Sequence, residues 1–327
     1  MNRDIKRIAV LTSGGDAPGM NAAIRAVVRT ATYNDLHVYG VFEGYKGMIE
    51  GNLKRLENKD VANTILRGGT ILKTARCEQF KTAEGRQKAY DSLVAFDIDA
   101  VVAIGGNGTY TGAYYFSREF DMPFIGLPGT IDNDIYGTDF TIGYDTAINT
   151  AVEAVDKIRD TASSHNRLFF IEVMGRHAGF IALETGIASG AAATFLPETD
   201  WGIDELLSML KKAAIRKKLF NIVIVAEGNK NGDAHELARL VHENLDSYET
   251  RVTTIGHLQR GGSPSASDRV LASRLGYEAV ISLMNGMENK ALGIVNDKLN
   301  AVDFWDAIHK KKELNQEMLK MLEVLAM

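Results

Sequence analysis

Residues 8–21 read Ile8-Ala9-Val10-Leu11-Thr12-Ser13-Gly14-Gly15-Asp16-Ala17-Pro18-Gly19-Met20-Asn21. Ile8–Leu11 is apolar without alternation, the pattern of a strand buried on both faces. Glycines and Pro18 then break the run, and Ile24, Val27 and Val28 recur at helical spacing. Strand, glycine turn and helix make the repeating unit of a parallel sheet covered by helices. Backbone amides at such a junction can cradle phosphate, because the start of a helix offers unpaired N–H groups and the positive end of its dipole. The same turn also serves a chain that merely changes direction. The motif is neither G-x-G-x-x-G nor G-x-x-x-x-G-K-[ST].

The rhythm repeats outward from this stretch. Short apolar runs stand at Ala100–Ile104, Phe124–Leu127, Leu168–Val173 and Ile222–Ala226, each followed by glycines or polar residues and a longer segment. Ile148, Val152, Val155 and Ile158 share one helical face, and Leu314–Leu325 reads as an amphipathic helix used for packing. The predicted fold is α/β, with two Rossmann-like lobes, each a largely parallel sheet covered by helices. The chain's 327 residues exceed the size at which one core stops growing, which calls for two lobes. A boundary is expected near Gly143–Asp145, where the long helical segment starts.

Composition narrows the function. The net charge of -5 argues against a general binder of nucleic acid or anionic membrane. Cys77 is the only cysteine, so neither an internal disulfide nor a cysteine-based metal site is available. Met1–Lys6 is charged and lacks the apolar core of a signal peptide. No apolar run approaches the ~20 residues of a membrane span. A cytoplasmic setting is expected.

Two further loops follow strands. Gly105-Gly106-Asn107-Gly108-Thr109 lets a ligand approach the backbone closely. An Asn-Gly hairpin turn is the alternative, weakened by the helical pattern that follows. With the first loop, it suggests a nucleotide. Pro128-Gly129-Thr130-Ile131-Asp132-Asn133-Asp134 sets two carboxylates two residues apart. A kinase needs a base at the acceptor hydroxyl and oxygen ligands for Mg²⁺, tasks that Asp132 and Asp134 can divide. A solvated Asx turn is the plainer alternative.

With the acidic loop the resemblance becomes specific. Leu11–Asn21 and Pro128–Asp134, with Val173-Met174-Gly175-Arg176 and Gly256-His257-Leu258-Gln259-Arg260-Gly261-Gly262-Ser263-Pro264, resemble the bacterial ATP-dependent 6-phosphofructokinases over nearly the whole chain. The resemblance implies phosphorylation of fructose 6-phosphate at its 1-hydroxyl by ATP with Mg²⁺. It implies an ATP-binding lobe of residues 1–143 plus about 259–310, and a sugar-phosphate lobe of 144–258 plus about 311–327. Asp132 matches the base, with Thr130, Asp134 and Arg176 as further catalytic positions. Gly15, Arg76, Cys77, Gly106, Asn107, Gly108 and Thr109 match ATP contacts. Thr130, Ile131, Met174, Gly175, Arg176 and Glu227 match sugar contacts. Arg167, Arg251 and His257–Arg260 match the cage around the 6-phosphate, with Arg167 and Arg251 reaching a neighbouring subunit's site. Family members are usually homotetramers. Arg25, Arg29, Arg159, Gly190, Ala192, Arg216 and Lys218 match an allosteric site for ADP or phosphoenolpyruvate.

Two departures qualify this. The family's glycine loop usually has aspartate where this chain has Asn107, which keeps an oxygen but loses a charge associated with Mg²⁺ alongside Asp134. The effector segment often has an acid where this chain has Ala192. The competing readings are a pyrophosphate-dependent relative, disfavoured by Gly108 and Gly129, and a catalytically weak regulatory paralogue, motivated by Asn107. A nicotinamide dehydrogenase would want the missing G-x-G-x-x-G.

Overall fold

A computed structural model describes residues 4–165, 167–215, 222–245 and 248–326. Eleven strands and eleven α-helices alternate along these residues. The strands are β1 (Arg7–Ser13), β2 (His37–Val41), β3 (Leu53–Leu56), β4 (Ala100–Gly105), β5 (Phe124–Pro128), β6 (Arg167–Val173), β7 (Ala193–Phe195), β8 (Ile222–Ala226), β9 (Glu249–Thr254), β10 (Lys290–Val295) and β11 (Lys298–Asp303). The helices are α1 (Met20–Tyr33), α2 (Gly44–Glu50), α3 (Ala83–Ala95), α4 (Asn107–Glu119), α5 (Tyr144–His165), α6 (Phe180–Ser189), α7 (Ile203–Ile215), α8 (Ala234–Asn244), α9 (Ala266–Met284), α10 (Phe304–His309) and α11 (Gln316–Leu325).

Two compact units result. One comprises Met1–Ile131, Ile135–Thr146 and Arg260–Lys312; the other comprises Asp132–Asp134, Ala147–Gln259 and Glu313–Met327. The chain thus leaves the first unit after Thr146, and the three residues Asp132–Asp134 cluster with the second unit, although the sequence division assigns them to the first.

The first unit is built on a seven-stranded sheet ordered β11-β10-β5-β4-β1-β2-β3. Its central strands β10, β5, β4, β1 and β2 run parallel, and the edges β3 and β11 are antiparallel. Every residue of β4 and β5 is buried, which explains their unbroken apolar sequence. Burying one Val or Ile side chain contributes roughly 1.5–3 kcal/mol, so the sheet centre contributes substantially to stability. Aromatic side chains complete one face: Tyr45 stacks on Phe80, and Phe116 meets Phe80 and Phe124. The β10–β11 hairpin turns at Asn296 and Asp297, both left-handed (φ 48° and 60°), as a tight two-residue turn demands. The edge strand β3 carries exposed Lys54 and Arg55, charges that discourage further pairing.

The second unit holds a four-stranded parallel sheet ordered β7-β8-β6-β9. Its core packs Leu168, Phe170, Val223 and Val225 against Leu206, Leu210, Leu237 and Val241 from α7 and α8. Among the described residues, no helix is long and apolar enough to cross a membrane.

Candidate active site

Three loops of the first unit leave the sheet side by side. Ser13 pairs with Gly105, and Gly105 pairs with Pro128, so β1, β4 and β5 end at one level. Adjacent strands lie about 4.8 Å apart, which places three loop mouths within about 10 Å. The connection β1 to β2 runs to one side of β1, and β4 lies on the other. That switch of direction opens the crevice in which open α/β sheets bind ligands.

The loops are locked to one another from behind. Thr109 Oγ1 donates to Ser13 O (3.0 Å) across the two glycine loops. Gly129 N donates to Gly105 O (3.0 Å), joining the second loop to the acidic one. A Cβ on Gly105 would overlap Thr109 Oγ1 and the Ser13 carbonyl, so only glycine fits. Gly108 is different: it is exposed, and a Cβ there would meet nothing within 4 Å. The Arg260 guanidinium lies over Gly15 and donates to Asp16 O (3.1 Å). Asn21 fastens the neighbouring segment, donating to Arg67 O (3.0 Å) and accepting from Ile71 N (2.7 Å). That segment continues to exposed Arg76 and half-buried Cys77.

α1 and α4 start at Gly19 and Gly106 with no side-chain cap. Side-chain oxygens of Thr82, Asp233, Ser265 and Asn315 cap α3, α8, α9 and α11, whereas α2, α6 and α10 lack such a cap, as α1 and α4 do. The helices that follow the glycine loops therefore present their N-terminal dipole without a built-in side-chain acceptor.

The acidic loop is buried for its length up to Asn133. Thr130 is 8% exposed, Ile131 0%, Asp132 7% and Asn133 3%. Asn133 is left-handed (φ 54°), a conformation asparagine tolerates, and it sets Asp132 and half-buried Asp134 apart. Thr141 Oγ1 donates to Thr130 O (2.6 Å), and Ile142 N donates to Pro128 O (2.8 Å), closing the excursion.

In the second unit the same rule operates at β6, β8 and β9. Val173 pairs with Ala226, so Met174–Arg176 and Glu227 emerge together, and Gly256–Arg260 follows β9 next to β6. Glu227 Oε2 accepts from Arg176 N (3.0 Å), and fully buried Gln259 accepts from Met174 N (2.8 Å) through Oε1. Gln259 is thereby a holder of the backbone rather than an exposed ligand group. Arg176 is exposed and left-handed (φ 57°), a strained setting of the kind that clusters at functional sites. Gly228 must be glycine, because a Cβ would overlap the Arg176 carbonyl. His257 and Leu258 are exposed, Leu258 to 71%.

Arg167 and Arg251 are not brought to this end. Arg167 opens β6, seven residues before Met174, or roughly 23 Å at about 3.3 Å per residue. Arg251 pairs with Phe169 near the same end. Both arginines bind Glu249, Arg167 through Nε at 2.9 Å. Of the effector positions, Arg25 and Arg29 share a face of α1. Burial, then the charge of Arg29, holds the Arg25 guanidinium below its ordinary pKa. Arg159 on α5 donates to Ser189 O beside exposed, left-handed Gly190. Ala192 is buried, and Arg216 and Lys218 lie outside the described residues.

The sequence matches the family described as Phosphofructokinase over residues 7–283. This chain belongs to the phosphofructokinase family. It is 54% identical over 322 residues to ATP-dependent 6-phosphofructokinase 2 of Bacteroides thetaiotaomicron, covering 98% of this chain and 99% of the relative. It is 53% identical over 323 residues to ATP-dependent 6-phosphofructokinase 1 of Thermus thermophilus, covering 99% and 100%. Among solved structures, phosphofructokinase of Pichia pastoris in the T-state superposes with a TM-score of 0.88 at 36% identity. That match covers 99% of this chain, which spans 37% of the length of the Pichia chain. The α/β reading of the sequence is correct.

Proposed function

We propose that the chain is an ATP-dependent 6-phosphofructokinase that transfers the terminal phosphoryl group of ATP to the 1-hydroxyl of D-fructose 6-phosphate, giving fructose 1,6-bisphosphate and ADP. The observation that carries this reading is the common level of Ser13, Gly105 and Pro128, from which two glycine loops and the acidic loop leave adjacent strands. Full-length identity above 50% to relatives named for that activity supports it.

Each residue type has a task. The backbone around Gly15, Gly106 and Gly108 receives the phosphates of ATP, with Thr109 fixing the loop and Arg76 and Cys77 beside the nucleotide. Open space at Gly108 favours a nucleotide over the smaller pyrophosphate. Asp132 takes the proton from the 1-hydroxyl as the oxygen attacks. Thr130 and Ile131 position that hydroxyl. Arg176 offsets the charge that develops on the transferring phosphoryl group. Met174, Gly175 and Glu227 receive the sugar, and His257 and Arg260 its 6-phosphate.

Mg²⁺ fits as an ion carried by the nucleotide. Among the described residues no group of three or more His, Cys, Asp or Glu side chains forms a metal cage. Mg²⁺ commonly takes one or two protein oxygens, waters and substrate phosphates instead. Asp134 and Asn107 are the oxygen donors that would hold it, and the ion would neutralise phosphate charge during transfer.

The position of Arg167 and Arg251, a strand length from Met174–Arg176, supports their use in a neighbouring subunit's site, and so a homo-oligomer, in the family's manner a tetramer. Arg25, Arg29 and Arg159 remain the proposed contacts for an ADP or phosphoenolpyruvate effector, without a carboxylate at Ala192. A cytoplasmic location accords with this chemistry.

The decisive assay supplies fructose 6-phosphate and Mg²⁺ with either ATP or pyrophosphate. Turnover with pyrophosphate alone, or with neither, overturns the reading. Mixing Arg251→Ala and Asp132→Asn subunits tests the shared site. Hybrid oligomers should regain activity that neither parent has, and inactive hybrids would remove Arg251 from the neighbour's site.

A further inference from the structure

We propose that Asp268, buried at the start of α9, is a positioning residue for phosphoryl transfer: it holds the backbone that braces the Thr130 loop. The inference rests on the catalytic assignment of that loop made above.

Asp268 is 1% exposed and is the third residue of α9, whose cap Ser265 accepts from Asp268 N (3.2 Å). In a capping box, an acid at this place turns back to the N–H of the cap residue. Here the Ser265 N–H goes instead to Thr146 Oγ1 (2.9 Å). The freed carboxylate reaches across to α5. Oδ1 accepts from Gly143 N (2.8 Å); Oδ2 accepts from Thr146 N (2.8 Å) and Thr146 Oγ1 (2.5 Å). One carboxylate thus serves the N-termini of two helices, where the dipoles favour negative charge.

Gly143 is the sensitive point. Its φ of 104° is closed to other residues, and a Cβ would lie 2.7 Å from Ala17 Cβ and 3.3 Å from Ile131. It is therefore wedged between the first glycine loop and the acidic loop. The two residues before it carry the brace: Ile142 donates to Pro128 O, and Thr141 to Thr130 O. A shift of Gly143 passes through three consecutive residues to Thr130. A Cβ added at Gly19 in the first loop would stand 3.5 Å from the Asp268 carbonyl, so the two residues lie close together. Burial raises the Asp268 pKa, against the hydrogen bonds from Thr146 and Gly143 that lower it. A neutral cap would avoid that desolvation, but it cannot accept from both N–H groups and the hydroxyl.

The test compares wild type with Asp268→Asn, Thr146→Val and Thr146→Ser, measured well below each melting temperature with circular dichroism as the check on folding. Asparagine keeps the shape but sets an N–H donor against a backbone N–H. Its kcat should fall about 10–100-fold, the scale of an ångström-level misplacement. The KM for ATP should stay within about threefold, a split that a purely stabilising residue would not produce. Thr146→Val should lower kcat in the same direction, and Thr146→Ser should restore it to within about twofold. A folded Asp268→Asn protein with wild-type kcat overturns the proposal, as does a serine variant no better than valine. If Asp268→Asn does not fold, the Thr146 pair decides. A wild type inactive on fructose 6-phosphate overturns the functional reading itself, whereas an active wild type matched by Asp268→Asn overturns only the role of Asp268.

Discussion

At the strand ends of the first unit the groups proposed to meet a ligand are mostly backbone: Gly14, Gly15 and Gly106–Gly108, followed by helices without side-chain caps. At the strand ends of the second unit they are side chains: Arg176, Glu227 and His257. The two solutions differ in what holds them. The backbone loops are fixed by close approach, with Gly105 leaving no room between Ser13 and Thr109. The side chains are fixed by polar contacts beneath them, such as Glu227 to Arg176 N and Gln259 to Met174 N. A polyphosphate chain suits an array of N–H groups, and a compact sugar phosphate suits forked cations. Substitutions should therefore act differently in the two places.

The largest effect is expected at Asp132, the proposed base. Asp132→Asn should lower kcat by roughly 10²–10⁴-fold with little change in sugar-phosphate binding. Near-normal kcat would show that the base lies elsewhere.

The glycine loops offer the sharpest internal contrast. Gly105→Ala must displace the Ser13 carbonyl and Thr109, at a cost of about 1–3 kcal/mol, visible in denaturant unfolding. Gly108→Val sets its Cβ where nothing lies within 4 Å and should change stability little, while raising the KM for ATP about tenfold, or ~1.4 kcal/mol. If both variants lose stability equally, the loops are packed framework and not a ligand surface.

Asn107→Asp restores a charge to the backbone-built side. A Mg²⁺ titration at saturating sugar phosphate should show a higher kcat and a midpoint lowered several-fold, on the order of 1 kcal/mol. Identical curves would mean that the amide oxygen suffices.

The smallest effect concerns Glu249, which occupies Arg167 and Arg251. These pairs are substantially exposed, so Glu249→Gln should change stability by less than about 1 kcal/mol. Releasing both guanidinium groups should lower the KM for fructose 6-phosphate by roughly twofold to fivefold. A higher KM would instead make Glu249 an orienting partner that the arginines need.

The sequence by itself determined the central strands, because a strand buried on both faces must be continuously apolar, as Ile8–Leu11 of β1 and the strands β4, β5 and β8 are. It also determined the loops, because glycine is required wherever backbone approaches ligand or neighbour. It left β2, β3, β7 and β9–β11 undetected. β3, β7, β9 and β11 are edge strands, whereas β2 and β10 lie inside the sheet, and the turn residues Asn296-Asp297 were a legible hairpin signal. The capping box Ser265–Asp268 was legible as well, but its use was not. Only tertiary structure turned the Asp268 carboxylate from its own helix to Gly143 and Thr146, residues more than a hundred positions away. Likewise, only the register of β6 and β9 put Arg167 on Glu249, a strand length from Met174, whereas the Arg251–Glu249 pair lies two residues apart within β9. Local patterns record the period and burial of a segment. Which charged group meets which partner depends on strand order and register, which no local stretch encodes.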